Sequence, residues 1–135
     1  MNEPALINFD GGAVPNPGKA AAACIIQFAG QVQTFSRYLG DPISNNVAEY
    51  NALLLALEEA LKLGVKQAKI YGDSNLVVNQ VNGVWKVKEP HLRPLCTQSA
   101  SYLSNFVKYE LIWIPRGQNA LADAAVNECI RRAGN

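Results

Sequence analysis

The sequence has 135 residues, a length that suits one domain with a sizeable core. Hydrophobic residues make up 49% and charged residues 17%, and twelve Lys and Arg against eleven Asp and Glu leave a formal net charge of +1. That balance excludes a disordered or fibrous chain and any polybasic arm or acidic tail, so a polyanionic partner would have to be held by local groups of cations or through bound metal ions.

Three cysteines, Cys24, Cys96 and Cys129, lie far apart and show no CxxC spacing, which points away from a zinc site or a disulfide framework and toward a reducing compartment. The start "MNEPALINFD" lacks the basic and apolar regions of a signal peptide, and no apolar run approaches the roughly 18 residues that span a bilayer. One domain over residues 1–135 is expected, in the cytoplasm, as a monomer and with no membrane contact.

In chain order, residues 4–10 read as a strand whose apolar run ends at Asp10, after which the Gly and Pro of "GGAVPNPG" are not expected to continue it. "AAAACIIQFAG" and "QVQTFSRYLG" read as two further strands joined by a tight turn at "AGQV". At Asn45 the period changes: "NNVAEYNALLLALEEALKLG" carries apolar residues at helical spacing, with Asn45 placed to cap the helix and Gly64 to stop it. "QAKIYGD" reads as a short strand and "SNLVVNQVNG" as a short helix capped by Ser74. The irregular "GVWKVKEPHLRP" leads to a helix over residues 95–106, a strand at "YELIWIP" and a closing helix at "NALADAAVNECIRRA". Strands interleaved with helices after a meander imply an α/β fold with one mixed sheet covered on both faces. Ligands of such sheets gather at the carboxyl ends of the parallel strands, where Asp10 and Asp73 fall.

Each of the four acids has a plain structural explanation beside a functional one. Asp10 before Gly11 and Gly12 fits turn chemistry, and Asp73 fits the start of the helix that follows it. Glu49 shares a helix face with Ala52, Leu53, Ala56, Leu57 and Ala60, opposite Asn51, Glu58 and Lys62. A carboxylate at the head of such a stripe costs several kcal/mol unless something compensates its charge. Asp123, followed by Val126 and Ile130, sits inward on the last helix, where a first-turn acid also complements the helix dipole. No Lys or Arg lies close to any of the four in sequence, so a local ion pair is not expected. Four carboxylates brought to one pocket would repel one another unless hard cations neutralised them, and Mg²⁺ or Mn²⁺ with oxygen ligands fits such a site.

The segments "FDGGAVPNPG", "SNNVAEYNAL", "YGDSNLVVNQVNG" and "WIPRGQNALADAAVNE" together resemble the ribonuclease H type 1 family, over nearly the whole chain. The resemblance implies a five-stranded mixed sheet, three strands antiparallel and then parallel ones, with helices on both faces. It implies hydrolysis of the RNA strand of an RNA–DNA hybrid to 5′-phosphate and 3′-hydroxyl ends, with two Mg²⁺ or Mn²⁺ ions held by Asp10, Glu49, Asp73 and Asp123 when substrate is bound. Asp10 would bridge the ions, and Gly11 and Gly12 would let the backbone approach the substrate. Recognition of the 2′-hydroxyl falls to the loop from Gly11 to Asn16, to Glu49 and to Asn46, and contacts to base edges or sugars to Asn45 and Asn75. Asn119 matches the asparagine that begins the family's last helix, and by the resemblance it is expected among the substrate-binding residues.

Two features depart from the family pattern. The loop before the last helix, "IPRGQNALAD", lacks the usual histidine and offers Arg116, which resembles a subgroup with arginine here and can bind phosphate but not act as an acid near neutral pH. That leaves open relaxed specificity extending to double-stranded RNA, or a catalytically weak nucleic-acid-binding module. The single histidine, His91, is expected to be a surface or packing residue. A basic protrusion after the Asp73 helix is also missing, and "GVWKVKEPHLRPL" stands in its place, where Lys86, Lys88 and Arg93 offer two or three phosphate contacts to the DNA strand and Trp85 either an aromatic surface for it or a side chain packed on the core.

Overall fold

The computed structural model describes residues 3–134. Strands β1 (Ala5–Val14), β2 (Gly18–Phe28) and β3 (Gln31–Ile43) form an antiparallel meander. Strands β4 (Gln67–Gly72) and β5 (Lys108–Trp113) extend it in parallel, giving the order β3-β2-β1-β4-β5. Helices α1 (Asn45–Lys62), α2 (Asn75–Val81), α3 (Arg93–Leu103) and α4 (Ala120–Ala133) complete the expected α/β architecture. Among the described residues no helix is long and apolar enough to cross a membrane.

The β2–β3 reversal turns on Ala29 and Gly30, with φ of +53° and +77°. Two successive left-handed residues give a hairpin turn the twist its strands need. Strand β1 differs from the expectation that it ends at Asp10. It continues through both glycines to Val14 because β2 supplies an antiparallel ladder out to Val14–Lys19, whereas its parallel ladder with β4 stops at Phe9–Gly72. Asp10 is therefore in mid-strand, yet it is the first residue beyond the carboxyl end of the parallel pairing.

On one face of the sheet Ile7, Phe9, Cys24, Ile26 and Ile70 pack with the buried residues of α1, α2 and α3. The other face holds a smaller cluster, Ala21, Ala23 and Val126, where α4 lies on β2. Ala20 to Ala23 are all fully buried, Ala22 toward α1 and Ala21 and Ala23 toward α4.

Helix α1 is capped by Ser44, not by Asn45: the Ser44 Oγ accepts the Val47 N–H at 3.2 Å, and Asn45 is the first helical residue. Ser44 has the extended backbone a cap requires. Gly64, at φ +86°, ends the helix as expected. Burial of α1 is wider than the expected stripe and includes Leu54 and Leu55, because α2 and α3 form a second wall beside the sheet. Ser74 caps α2 as expected, its Oγ accepting the Val77 N–H at 3.2 Å. Helix α3 starts at Arg93, two residues ahead of expectation, since Pro94 sits in the first turn, where its missing N–H leaves no bond unmade. Cys24, Cys96 and Cys129 are all free thiols.

Candidate active site

The four acids come from four elements and line one cleft of about 320 Å³. Asp10 leaves the end of the parallel ladder, Asp73 follows β4, Glu49 sits one turn into α1 and Asp123 lies in the first turn of α4. Carboxylate oxygens of Asp10, Glu49 and Asp73 lie within 4.8 Å of one another, and Asp123 lines the same cleft, its charge close enough to act on Asp10. The plain explanations for two of these acids do not hold. No turn occurs at Asp10, and Ser74 rather than Asp73 caps α2, which leaves the Asp73 side chain free to face the cleft.

Burial, then the charges of Asp73 and Asp123, push the Asp10 carboxyl up to about 7. Glu49 is held well above the usual carboxylate range by burial first and then by Asp10 and Asp73, an effect only partly offset by the Gly11 N–H, which donates to its Oε1 at 3.0 Å. One cation does approach, contrary to the expectation from sequence spacing. The loop before α4 folds back so that Arg116 Nη2 lies 3.5 Å from Asp123 Oδ1. Its side chain is 79% exposed, so it offsets little of the buried charge. The fold thus concentrates oxygen donors with no buried cation beside them among the described residues, a donor set that suits a hard divalent ion.

The residues expected at the substrate divide into those in the cleft and those engaged elsewhere. Gly12, Asn45, Asn46 and Arg116 line the cleft with the acids. Gly11 also borders it but is buried, and a Cβ there would collide with the Ala48 carbonyl, so its missing side chain serves the approach of α1 to β1 rather than of substrate. Asn45 accepts the Ala13 N–H at 2.8 Å through Oδ1, and its own N–H donates to Asn16 Oδ1 at 3.0 Å. Asn16 therefore satisfies an end-of-helix donor and ties the β1–β2 loop to α1. Asn75 is exposed outside the cleft lining and accepts from Asn79 at 2.6 Å.

Asn119 is 1% exposed, so the expected substrate contact gives way to an internal one: its Nδ2 donates to Asp73 Oδ2 and to the Phe9 carbonyl, each at 2.9 Å. Two further residues were not anticipated. Asn127 lines the cleft one turn beyond Asp123, a position that helical periodicity alone would have marked. The Trp113 indole N–H donates to the Asp73 carbonyl at 3.2 Å, which no sequence spacing reveals. Trp85, Lys86 and Lys88 border a separate groove with Leu76 and Gln80, and His91 is at the surface beside Glu89.

A sequence profile described as reverse transcriptase-like matches residues 8–129. The chain belongs to this reverse transcriptase-like family. Within it, the bifunctional protein Rv2228c of Mycobacterium tuberculosis is 38% identical over 130 residues, which are 95% of this chain and 36% of that protein. Ribonuclease HI of Halobacterium salinarum is 36% identical over 90% of this chain and 62% of its own length. The chain therefore spans about a third of the mycobacterial relative and under two thirds of the halobacterial one. Among solved structures, LC11-RNase H1 in complex with an RNA/DNA hybrid superposes with a TM-score of 0.89 at 38% identity, covering 97% of this chain and 99% of that one. The reverse transcriptase-like fold seen here is thus the ribonuclease H fold, with its acids at the end of the parallel strands.

Proposed function

We propose that this chain is a divalent-cation-dependent endoribonuclease that hydrolyses the RNA strand of an RNA–DNA hybrid and leaves 5′-phosphate and 3′-hydroxyl ends. The observation that carries the reading is the meeting of Asp10, Glu49 and Asp73 oxygens within 4.8 Å, with Asp123 in the same cleft and the carboxyls of Asp10 and Glu49 pushed upward by burial and by the charges of neighbouring acids. Similarity to a ribonuclease H1 crystallised on such a hybrid supports the substrate class. Asp10, Glu49, Asp73 and Asp123 would hold two Mg²⁺ or Mn²⁺ ions. Such ions, when bound, supply an activated water and stabilise the departing 3′-oxygen.

The remaining work falls to the chain's own groups. The Gly11 N–H holds Glu49 Oε1, and Glu49 lines the cleft from that seat. With its Oδ1 taken by Ala13, Asn45 has its amide nitrogen to donate to a sugar or base edge, and Asn46 beside it borders the same space. Donors and acceptors close to the acids are what recognition of a ribose 2′-hydroxyl requires. Arg116, at the rim, is placed to meet a phosphate.

The test is cleavage of a labelled hybrid, a double-stranded RNA and a DNA duplex with Mg²⁺ or Mn²⁺ and with EDTA. Cutting of the RNA strand of the hybrid that EDTA abolishes and that Asp10→Asn reduces to background is expected. Equal cutting of the DNA duplex, or hybrid cleavage untouched by Asp10→Asn, would reject the assignment.

A further inference from the structure

Asn119 bonds two of the four acids and the residue before a third. Its amide nitrogen donates to Asp73 Oδ2 at 2.9 Å and to the carbonyl of Phe9, the residue before Asp10, also at 2.9 Å. Its backbone carbonyl accepts the N–H of Asp123 at 3.1 Å. An amide NH₂ has two protons, and both are used here. The same side chain rotated by half a turn would set its carbonyl oxygen against the Asp73 carboxylate, where two acceptors repel. At 1% exposure no solvent would relieve that repulsion.

Asn8 holds the same orientation from the other end of the amide. Its Nδ2 donates to Asn119 Oδ1 at 3.0 Å from the α4 side of β1, so the oxygen of Asn119 is engaged away from Asp73. We propose that Asn8 is a positioning residue: acting through Asn119, it fixes the orientation in which the Asp73 carboxylate is presented for cation binding. The inference rests on the cleft's being a divalent-cation site. Partners one layer behind a metal ligand commonly control affinity and rate by about 10- to 100-fold.

The experiment compares the wild type with Asn8→Ala and Asn8→Asp by calorimetric titration of Mn²⁺, by kcat and KM on hybrid, and by thermal melting. Alanine removes the donor, whereas aspartate keeps the shape but puts an acceptor against Asn119 and favours the wrong orientation. The expected result is Mn²⁺ affinity and kcat down about 10-fold in Asn8→Ala and further in Asn8→Asp, with KM within about twofold. A packing role predicts the reverse order, since aspartate fills the same space, and simple attraction of a cation to the added charge predicts tighter binding; either outcome overturns the proposal. Folded variants with unchanged Mn²⁺ affinity and kcat overturn it alone, while a wild type that neither takes up Mn²⁺ nor cuts hybrid overturns the function and this inference together. If Asn8→Asp melts too low to assay, Asn8→Ser, which retains a hydroxyl donor, replaces it and is expected to lose less than Asn8→Ala; equal losses in the two refute the relay.

Discussion

Asp10 and Glu49 carry the clearest cost of building this cleft. An Asp10 carboxyl raised to about 7 from an ordinary 3.8 favours the protonated form in the folded chain, so the stability it contributes is complete below pH 3.8 and is lost as pH rises through 7. Glu49, shifted in the same direction, adds to that loss. Metal-free protein should therefore become less stable between pH 4 and 8, by an amount on the order of 4 kcal/mol for Asp10 at most. Urea unfolding in EDTA across that range checks it, and Asp10→Asn should flatten the curve; a wild-type curve no steeper than that of Asp10→Asn would refute the effect. At this scale the acids were legible because a carboxylate ending an apolar run, or heading an apolar helix stripe, is costly unless it has a purpose. Asn119 and Asn8 were not, since an asparagine at a helix start and one polar residue in a strand each have ordinary explanations. Only the fold shows that these two amides meet.

Helix α1 reaches the site because β1 lets it come close. A Cβ on Gly11 would strike the Ala48 carbonyl, whereas one on Gly12 would find Val126 Cγ1 at an ordinary 3.5 Å. Gly11→Ala is accordingly expected to cost about 3 kcal/mol or more and to disturb the seat of Glu49, and Gly12→Ala about 1 kcal/mol or less. Thermal melts of the two variants decide it, and equal losses would contradict the packing described. The order and type of elements were readable from the sequence, since the change from alternating to helical period at residue 45 and the glycine at 64 are strong local signals. The ends were less so. Strand β1 outran its expected stop because the ladder with β2, in which Gly11 and Gly12 pair with Ala22 and Ala21, outweighs the local preference of two glycines. The cap of α1 fell to Ser44 rather than Asn45 because two adjacent residues were both able to cap and only the backbone path chose between them.

With twelve basic and eleven acidic residues, the molecule as a whole does not attract a nucleic acid, and four of the acids face the site itself. On the proposed function, phosphate contact falls to Arg116 at the rim of the cleft and to the exposed Lys86, Lys88 and Arg93, of which the two lysines border the separate groove. Two or three such contacts predict that log Kd for a hybrid changes with log salt with a slope of about 2 to 3 in magnitude. Fluorescence anisotropy with Asp10→Asn protein measures this without cleavage, and a slope near zero would exclude phosphate-led binding. The composition made that modest dependence foreseeable; the path of the substrate was not, because it depends on which loops stand next to one another. The alanine run of β2 has an analogous effect inside the molecule. Residues 20–23 are no bulkier than a methyl group, and Glu49 and Asp123 are carried by helices on opposite sides of that strand. Ala20 to Ala23 thus act as a gauge for the thickness of the whole sandwich. Adding carbon at Ala21 or Ala23 would lift α4, and at Ala22 α1, separating the acids without altering one of them.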